Sequence, residues 1–333
     1  MEFCEKELTL EQKIHQMFIL GYEGDMPFAC LNLVNALKSG LGGVIFFTQN
    51  ITDKDKFKAS VQYIKDNAII APFLSIDQEG GRVERTLNLY GCSHYLSARD
   101  AAKKGESFVK EQTEQIAGEL KDFGLNMNFA PVLDVDSNPD NPIIAERAYS
   151  SDPDEVIRYG RIAVQTYLKN GIIPVGKHFP GHGDTSEDSH KEMPEVNLSI
   201  DELENTHIKP FKVLINDLPA IMAAHVYYPA FNKEKIPASV SPEILNGYLR
   251  QNLGFKGLII SDDMVMGGIK KFTSLEACKR AINAGVNMFI FRNADDVVIE
   301  LISNLIKAVK NNEIDINKID KSIEYIKSVK KCC

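Results

Sequence analysis

The chain has 333 residues, of which 44% are hydrophobic and 25% charged, and its formal net charge is −8. Such a composition is ordinary for a globular protein with a sizeable core, and the net negative charge disfavours binding to nucleic acid or to an anionic membrane. No apolar stretch reaches the roughly 18 residues of a membrane helix, and no basic segment followed by an apolar run opens the chain, so we expect a cytoplasmic protein.

One pattern recurs along the chain: an amphipathic helix ends at a glycine, and an apolar strand follows almost at once. Glycine is the usual residue at a helix C-terminus, and the glycines that mark such ends are Gly40, Gly124, Gly171, Gly254 and Gly285. Two of these helices are predicted to begin where a capping side chain precedes a proline, at Asp152-Pro153 and Ser241-Pro242. The predicted strands lie near residues 16–21, 43–47, 72–77, 126–132, 173–178, 220–225, 257–262 and 287–291.

These alternating elements predict an α/β fold. Strands that are buried on both faces read as continuous apolar runs, as these eight do. Eight βα units in a chain of this length indicate a (β/α)8 TIM-like barrel, with 1–333 forming a single catalytic domain and the helices of 294–333 packing outside the barrel. A doubly wound open sheet is the structural alternative.

Polar residues follow six of the eight predicted strands. In a (β/α)8 barrel the chemistry takes place at the carboxyl ends of the strands, so side chains from different strands converge on one face. We expect that convergence for Asp77, Asp134, Lys177, His178, His225, Asp262, Asp263 and Arg292.

The segment KHFPGHGDTSEDSH, from Lys177 to His190, is the densest group of titratable residues in the chain. Asp188 can fold back and accept a proton from the ring of His190, which would let that histidine act as a general acid and base. A solvated acidic loop without a role is the alternative. A zinc site built from His178, His182, Asp188 and His190 stays open, although the intervening proline and glycines exclude a helical ligand spacing.

The remaining candidate residues each have a structural alternative. Asp262 could attack a sugar C1, bind a metal, or cap the next helix. Lys177 could bind a substrate hydroxyl or carboxylate, or pair with a neighbouring aspartate. Asp77 could accept hydrogen bonds from two sugar hydroxyls, with Arg85 and Arg147 supplying donors from the rim.

Six motifs together resemble the family 3 glycoside hydrolases, specifically the bacterial β-N-acetylglucosaminidases that recycle cell-wall sugars. They run in family order over nearly the whole chain, and the segment from Lys177 is the most specific, since it separates this branch from members whose acid/base is a carboxylate on a second domain. The motifs are DQEGGRVER, NFAPVLDVD, ERAYSSDP, KHFPGHGDTSEDSH, AAHVYYP and GLIISDDM. The family fold is a TIM-like barrel.

The resemblance implies roles for individual residues. Asp262 corresponds to the nucleophile, His190 to the general acid/base and Asp188 to its partner. The positions that hold N-acetylglucosamine correspond to Asp77, Arg85, Arg147, Lys177 and His178. It implies no metal and no organic cofactor, and we expect a monomer that acts on muropeptide-derived sugars.

Several alternatives to this interpretation stay open. Within the same fold, β-glucosidase activity or phosphorolysis could replace hydrolysis of an N-acetylglucosaminide. A catalytically silent sugar sensor and a metal-dependent hydrolase are alternatives of other classes. The chain also departs from the family after Arg85, where a proline-rich turn is absent, and at Arg292, where an uncharged residue is expected; Arg292 could add a contact or pair with Asp295 or Asp296.

Overall fold

The computed structural model describes residues 7–186 and 193–331. Within these residues eight parallel strands close into a barrel in sequence order, and the last strand pairs with the first. The predicted (β/α)8 barrel is therefore confirmed, and the open-sheet alternative is wrong. The strands are β1 (Phe18–Leu20), β2 (Gly43–Phe46), β3 (Phe73–Ile76), β4 (Met127–Asn128), β5 (Ile173–Phe179), β6 (Ala220–Ala223), β7 (Leu258–Asp263) and β8 (Met288–Phe291).

Helices surround the barrel. The α-helices of the described residues are α1 (Leu10–Gln16), α2 (Leu31–Lys38), α3 (Lys54–Asn67), α4 (Leu87–Tyr90), α5 (Ala98–Lys103), α6 (Glu106–Asp122), α7 (Pro153–Lys169), α8 (Ile200–Asn205), α9 (Lys209–Leu214), α10 (Ser274–Ala284), α11 (Asp296–Lys310) and α12 (Ile316–Lys330). A π-helix spans Glu243–Asn252. Neighbouring helices pack on one another, α6 on α7 and α10 on α11, and both C-terminal helices contact α1. Across the described residues, no helix has both the length and the apolar character that crossing a bilayer requires.

The helix boundary signals act as predicted. The side chain of Asp152 accepts a hydrogen bond from the backbone N–H of Asp154, and Ser241 Oγ accepts one from Ile244. All five glycines have a positive φ, between 74° and 105°. At Gly285 two constraints coincide, because a Cβ there would also lie 2.4 Å from Asn246 Oδ1.

Strand β4 is shorter than the prediction of 126–132. Pro131 has no backbone N–H, so the regular ladder cannot pass through it. The chain nevertheless stays beside β5, because Pro131 O accepts from the N–H of Lys177 at 3.2 Å and the N–H of Leu133 donates to Lys177 O at 2.7 Å. This irregular continuation carries Asp134 to the carboxyl end of the barrel.

Candidate active site

A cavity of about 170 Å³ opens at the carboxyl ends of the strands. All five residues that were predicted to bind a sugar line this cavity, together with the predicted nucleophile; these are Asp77, Arg85, Arg147, Lys177, His178 and Asp262. Of the strand-end side chains that were expected to converge, six line the cavity: Asp77, Lys177, His178, Asp262, Asp263 and Arg292. The other two, Asp134 and His225, are buried and do not line it. The barrel therefore brings the described candidate residues into one site.

Lys177 lies at the inner end of the cavity between two carboxylates. Its ammonium is 2.7 Å from Asp77 Oδ1 and 2.7 Å from Glu79 Oε1, and its side chain is buried. Burial alone would lower the pKa of Lys177, but the two carboxylates raise it, so the ammonium stays charged. The internal ion pair that was the alternative for Lys177 thus exists within the cavity itself.

Glu79, for which no role was predicted, connects Lys177 to Arg147. Arg147 Nε and Nη2 donate to the two oxygens of Glu79, each at 2.9 Å. Burial alone would raise the pKa of Glu79, but Arg147 and Lys177 hold it well below its ordinary value. The signal that could have identified it is its place two residues after Asp77, because alternate residues of an extended chain face the same side.

Arg147, which could have supplied donors from the rim, does not lie there. Its side chain is only 12% exposed, and Nη1 donates to the carbonyl of Ile143 at 3.2 Å. The prediction of a rim donor is wrong, since a buried carboxylate that matches the guanidinium fork attracts it inward. The geometry gives Arg147 the task of orienting Glu79.

Arg85 keeps hydrogen-bonding capacity for a ligand. Its Nη2 lies 3.6 Å from Asp77 Oδ2, and its buried Nε has no hydrogen-bond partner in the described part of the chain. The backbone N–H of Arg85 donates to Gln78 Oε1 at 2.8 Å, which fixes the start of this side chain. Asp77 and Arg85 therefore present an acceptor and a donor side by side.

Asp134 positions the histidines of the predicted catalytic segment. Its carboxylate accepts hydrogen bonds from His178 Nδ1 and from the backbone N–H of His182, both at 2.7 Å. Burial alone would raise the pKa of Asp134, but the adjacent histidines lower it to about 2. Because a carboxylate can only accept, this bond assigns a proton to Nδ1 of His178, and Nε2 takes no part in it.

His182 is neutral in this environment. Burial and the neighbouring His178 lower its pKa to about 4, and Thr185 Oγ1 lies 3.0 Å from its Nδ1. Among residues 7–186 and 193–331, no three His, Cys, Asp or Glu side chains form a group that could hold a metal ion. Two residues of the zinc alternative, Asp188 and His190, lie outside the described residues. The same two residues are the predicted acid/base and its partner.

Asp262 lies at the end of β7 and is ionised. Its Oδ1 accepts from the backbone N–H of Asp263 at 2.7 Å. Burial alone would raise the pKa of Asp262, but His178, His225 and that N–H lower it below its ordinary value. The helix-capping alternative is wrong, because the next α-helix, α10, is capped by Thr273.

Asp263 pairs with Arg292, for which Asp295 and Asp296 were possible partners. Arg292 Nε donates to Asp263 Oδ2 at 2.7 Å. Asp295 instead accepts from the backbone N–H of Val298 at the start of α11, and Asp296 accepts from Asn32. The alternative that Arg292 pairs with Asp295 or Asp296 is therefore wrong, because Asp295 caps α11 and Asp296 is bonded to Asn32.

Replacing Glu79 with glutamine is expected to destabilise the protein by about 3–5 kcal/mol. The amide keeps the shape of the side chain but leaves Arg147 and Lys177, both buried, with one carboxylate fewer. The free energy of unfolding from denaturant titration at neutral pH measures the effect.

Glu146→Gln is the matched control, because the same chemical change there breaks an ion pair with Arg82 in which both side chains are about two-fifths exposed. An exposed pair of this kind contributes about 0–1 kcal/mol. Equal losses in the two variants would contradict the structural role given to Glu79.

Comparison with known proteins places this chain in one family. Residues 9–329 match the family model described as the glycosyl hydrolase family 3 N terminal domain. The β-hexosaminidase A of Pseudoalteromonas piscicida is 31% identical over 319 residues, which cover 87% of this chain and 53% of that protein. The β-hexosaminidase of Haemophilus influenzae (strain PittEE) is 34% identical over 277 residues, covering 81% of this chain and 78% of that protein.

A solved structure gives the same picture. The family 3 β-N-acetylglucosaminidase from Paenibacillus sp. str. FPU-7 superposes with a TM-score of 0.92 at 32% identity, covering 98% of this chain and 63% of that one. This chain thus spans about half the length of the first relative and less than two thirds of the solved structure.

Proposed function

This chain belongs to glycosyl hydrolase family 3, and we propose on that basis that it is a retaining exo-β-N-acetylglucosaminidase. The proposed substrate is muropeptide-derived N-acetylglucosaminyl-anhydro-N-acetylmuramic acid, which loses its terminal N-acetylglucosamine. We propose that the enzyme acts as a monomer in the cytoplasm, in the recycling of cell-wall fragments. The observation that carries the proposal is the ionised Asp262, which lies in the cavity lined by Lys177 and His178.

In the proposed first step, the carboxylate of Asp262 attacks C1 of the sugar, and the bond from C1 to the leaving oxygen breaks. His190 gives a proton to that oxygen, so the aglycone leaves as an alcohol. In the second step His190 takes a proton from water, the resulting hydroxide attacks C1, and Asp262 leaves. Two inversions at C1 retain the β configuration.

The proposed sugar contacts follow from the donors and acceptors in the cavity. Asp77 accepts from sugar hydroxyls, while the partly exposed guanidinium of Arg85 and the ammonium of Lys177 donate. His178 contacts the sugar through Nε2, because its Nδ1 is bonded to Asp134. Arg147 acts on the sugar only through Glu79, since that carboxylate occupies its fork.

A histidine as the acid/base is compatible with a negatively charged aglycone. In the glycosyl-enzyme His190 is neutral, whereas a carboxylate in its place would be negative and would repel a carboxylate next to the scissile bond. Asp188, two residues away, would fix its tautomer. The same neutrality would admit phosphate in place of water, so phosphorolysis is the outcome against which hydrolysis has to be tested.

Parallel assays of an aryl β-N-acetylglucosaminide and an aryl β-glucoside test the proposal. We expect release of nitrophenol from the N-acetylglucosaminide and not from the glucoside, at a rate that neither a chelator nor added phosphate changes. Faster turnover in phosphate would assign a phosphorylase, and loss of activity in chelator that zinc restores would assign a metal hydrolase. A folded protein that binds N-acetylglucosamine but cleaves neither compound would be a sensor.

A further inference from the structure

Arg292 lies directly after β8 and lines the cavity beside Asp263. Its side chain is 51% exposed, whereas that of Arg147 in the same cavity is 12% exposed. The two arginines therefore have different environments, one at the mouth of the cavity and one at its inner end. Arg147 donates to Glu79, whereas half of the Arg292 side chain faces solvent.

One end of the Arg292 guanidinium is fixed. Its Nε donates to Asp263 Oδ2 at 2.7 Å, and Asp263 Oδ1 accepts from the backbone N–H of Val265 at 3.2 Å. The Asp263 side chain is only 10% exposed, so the partner of Nε is itself held in place. The guanidinium of Arg292 thus has a defined position although half of the side chain meets solvent.

The other end of the guanidinium has unused donors. Counting only residues 7–186 and 193–331, neither Nη1 nor Nη2 of Arg292 has a hydrogen-bond partner, whereas Arg147 uses Nε, Nη1 and Nη2. Two Nη groups in one plane match the two oxygens of a carboxylate or of a phosphate. Ile290 and Met266 line the cavity as well and supply apolar surface, against which a charge-assisted hydrogen bond is stronger than in open water.

The inner part of the cavity is electrostatically balanced without Arg292. Its three cations, Lys177, Arg147 and Arg85, are matched by three carboxylates, those of Asp77, Glu79 and Asp262. A neutral sugar suits that balanced region. An anionic group of the substrate would therefore be placed outside it, at the mouth, where Arg292 has donors to give.

We propose that Arg292 is a specificity-determining residue that binds an anionic oxygen group, a carboxylate or a phosphate, at the mouth of the cavity. The proposal rests on the proposed function, because the anion is either part of the leaving group or a free phosphate acceptor of that reaction. If neither anion binds there, the only role left for Arg292 is to neutralise the charge of Asp263.

The test compares two aryl β-N-acetylglucosaminides whose phenols carry a para-carboxylate or a para-carboxamide. The readout is the ratio of their kcat/KM values within each protein, so changes that affect both substrates equally cancel. We expect Arg292→Gln to lower the carboxylate-to-carboxamide ratio about tenfold, and Arg292→Lys to lower it less, because lysine keeps the charge without the fork.

Arg280→Gln is the matched control. It removes the same charge from a partly exposed arginine that is paired with Glu276 and does not line the cavity. Its ratio should equal that of the unaltered protein. A fall in the control as large as that in Arg292→Gln would mean that long-range charge, and not contact with Arg292, sets the preference, which would overturn the proposal.

Binding of the free anions separates the two sources and does not require turnover. Calorimetric titration of the full chain with inorganic phosphate and with 4-hydroxybenzoate should give affinities that Arg292→Gln weakens for at least one of them. A loss for 4-hydroxybenzoate together with the changed ratio assigns the leaving group, and a loss for phosphate alone assigns the acceptor. If Arg292→Gln changes neither the ratio of kcat/KM values nor the affinity for either anion, the proposal is overturned. Absence of turnover in the unaltered protein would count against the proposed function, and the titration alone would then decide whether Arg292 binds an anion.

Discussion

Asp262→Asn is expected to lower kcat by about 10⁴-fold or more while the free energy of unfolding changes by about 1 kcal/mol or less. The amide cannot attack C1 or carry the covalent bond, so the proposed route is lost and not merely slowed. The fold should tolerate the change, because the amide oxygen can still accept the hydrogen bond from the N–H of Asp263. Steady-state kinetics on an aryl N-acetylglucosaminide and denaturant titration measure the two quantities.

The neighbouring aspartate supplies the control for this prediction. Asp263→Asn makes the same chemical change one residue later, at a carboxylate that is bonded to Arg292. Burial raises the pKa of Asp263, in contrast to the lowered pKa of Asp262, so the two carboxyl groups are not equivalent nucleophiles. A larger loss of kcat in Asp263→Asn than in Asp262→Asn would contradict the assignment.

The second large effect is expected for His190→Ala. General acid catalysis contributes about 10²–10⁴-fold, and a leaving group needs it more as the basicity of its oxygen rises. We therefore expect a loss of that order for a disaccharide and a much smaller loss for a nitrophenyl glycoside. A series of aryl glycosides with phenols of increasing pKa measures this as a steeper fall of log kcat/KM in the variant than in the unaltered protein.

His94→Ala controls for the loss of an imidazole elsewhere in the chain. His94 contacts Glu84 and does not line the cavity, so its removal should shift the whole series without changing its slope. If His190→Ala shows the same slope as the unaltered protein, or leaves cleavage of a disaccharide unchanged, another group is the acid.

The fold was predictable from the sequence because it depends on local signals that repeat. Each βα unit carries its own apolar run and its own helix boundary, such as Asp152 at one start or Gly285 at one end. The short β4 is a local exception with a local cause, the missing N–H of Pro131. The carboxyl-end rule then places Asp77, Lys177 and Asp262 in one cavity without further information.

The ion pairs within the cavity were not predictable in the same way. The choice of partner depends on distances between strands, and these follow from the closed barrel and not from spacing along the chain. Glu79 reaches Lys177 and Arg147 from 98 and 68 positions away. The same reason explains why Arg292 pairs with Asp263 and not with Asp295, which is nearer in the sequence.

Asp134 shows the difference between finding a residue and finding its role. The sequence places it among the strand-end polar residues, which is correct. Its function as the acceptor for His178 and His182 becomes visible only when β4 and β5 lie side by side. Sequence patterns thus identify the chemistry available at the mouth of the barrel, and the structure identifies which groups hold each other in place.

Covalent trapping tests the central claim most directly. A 5-fluoro N-acetylglucosaminyl fluoride has an activated leaving group and slows the second step, so the glycosyl-enzyme should accumulate. The account predicts a mass increase of one fluorinated glycosyl unit on the intact protein, located by peptide mapping on Asp262 and absent from Asp262→Asn. An adduct on Asp263, or continued turnover of the fluoride in Asp262→Asn, would contradict it.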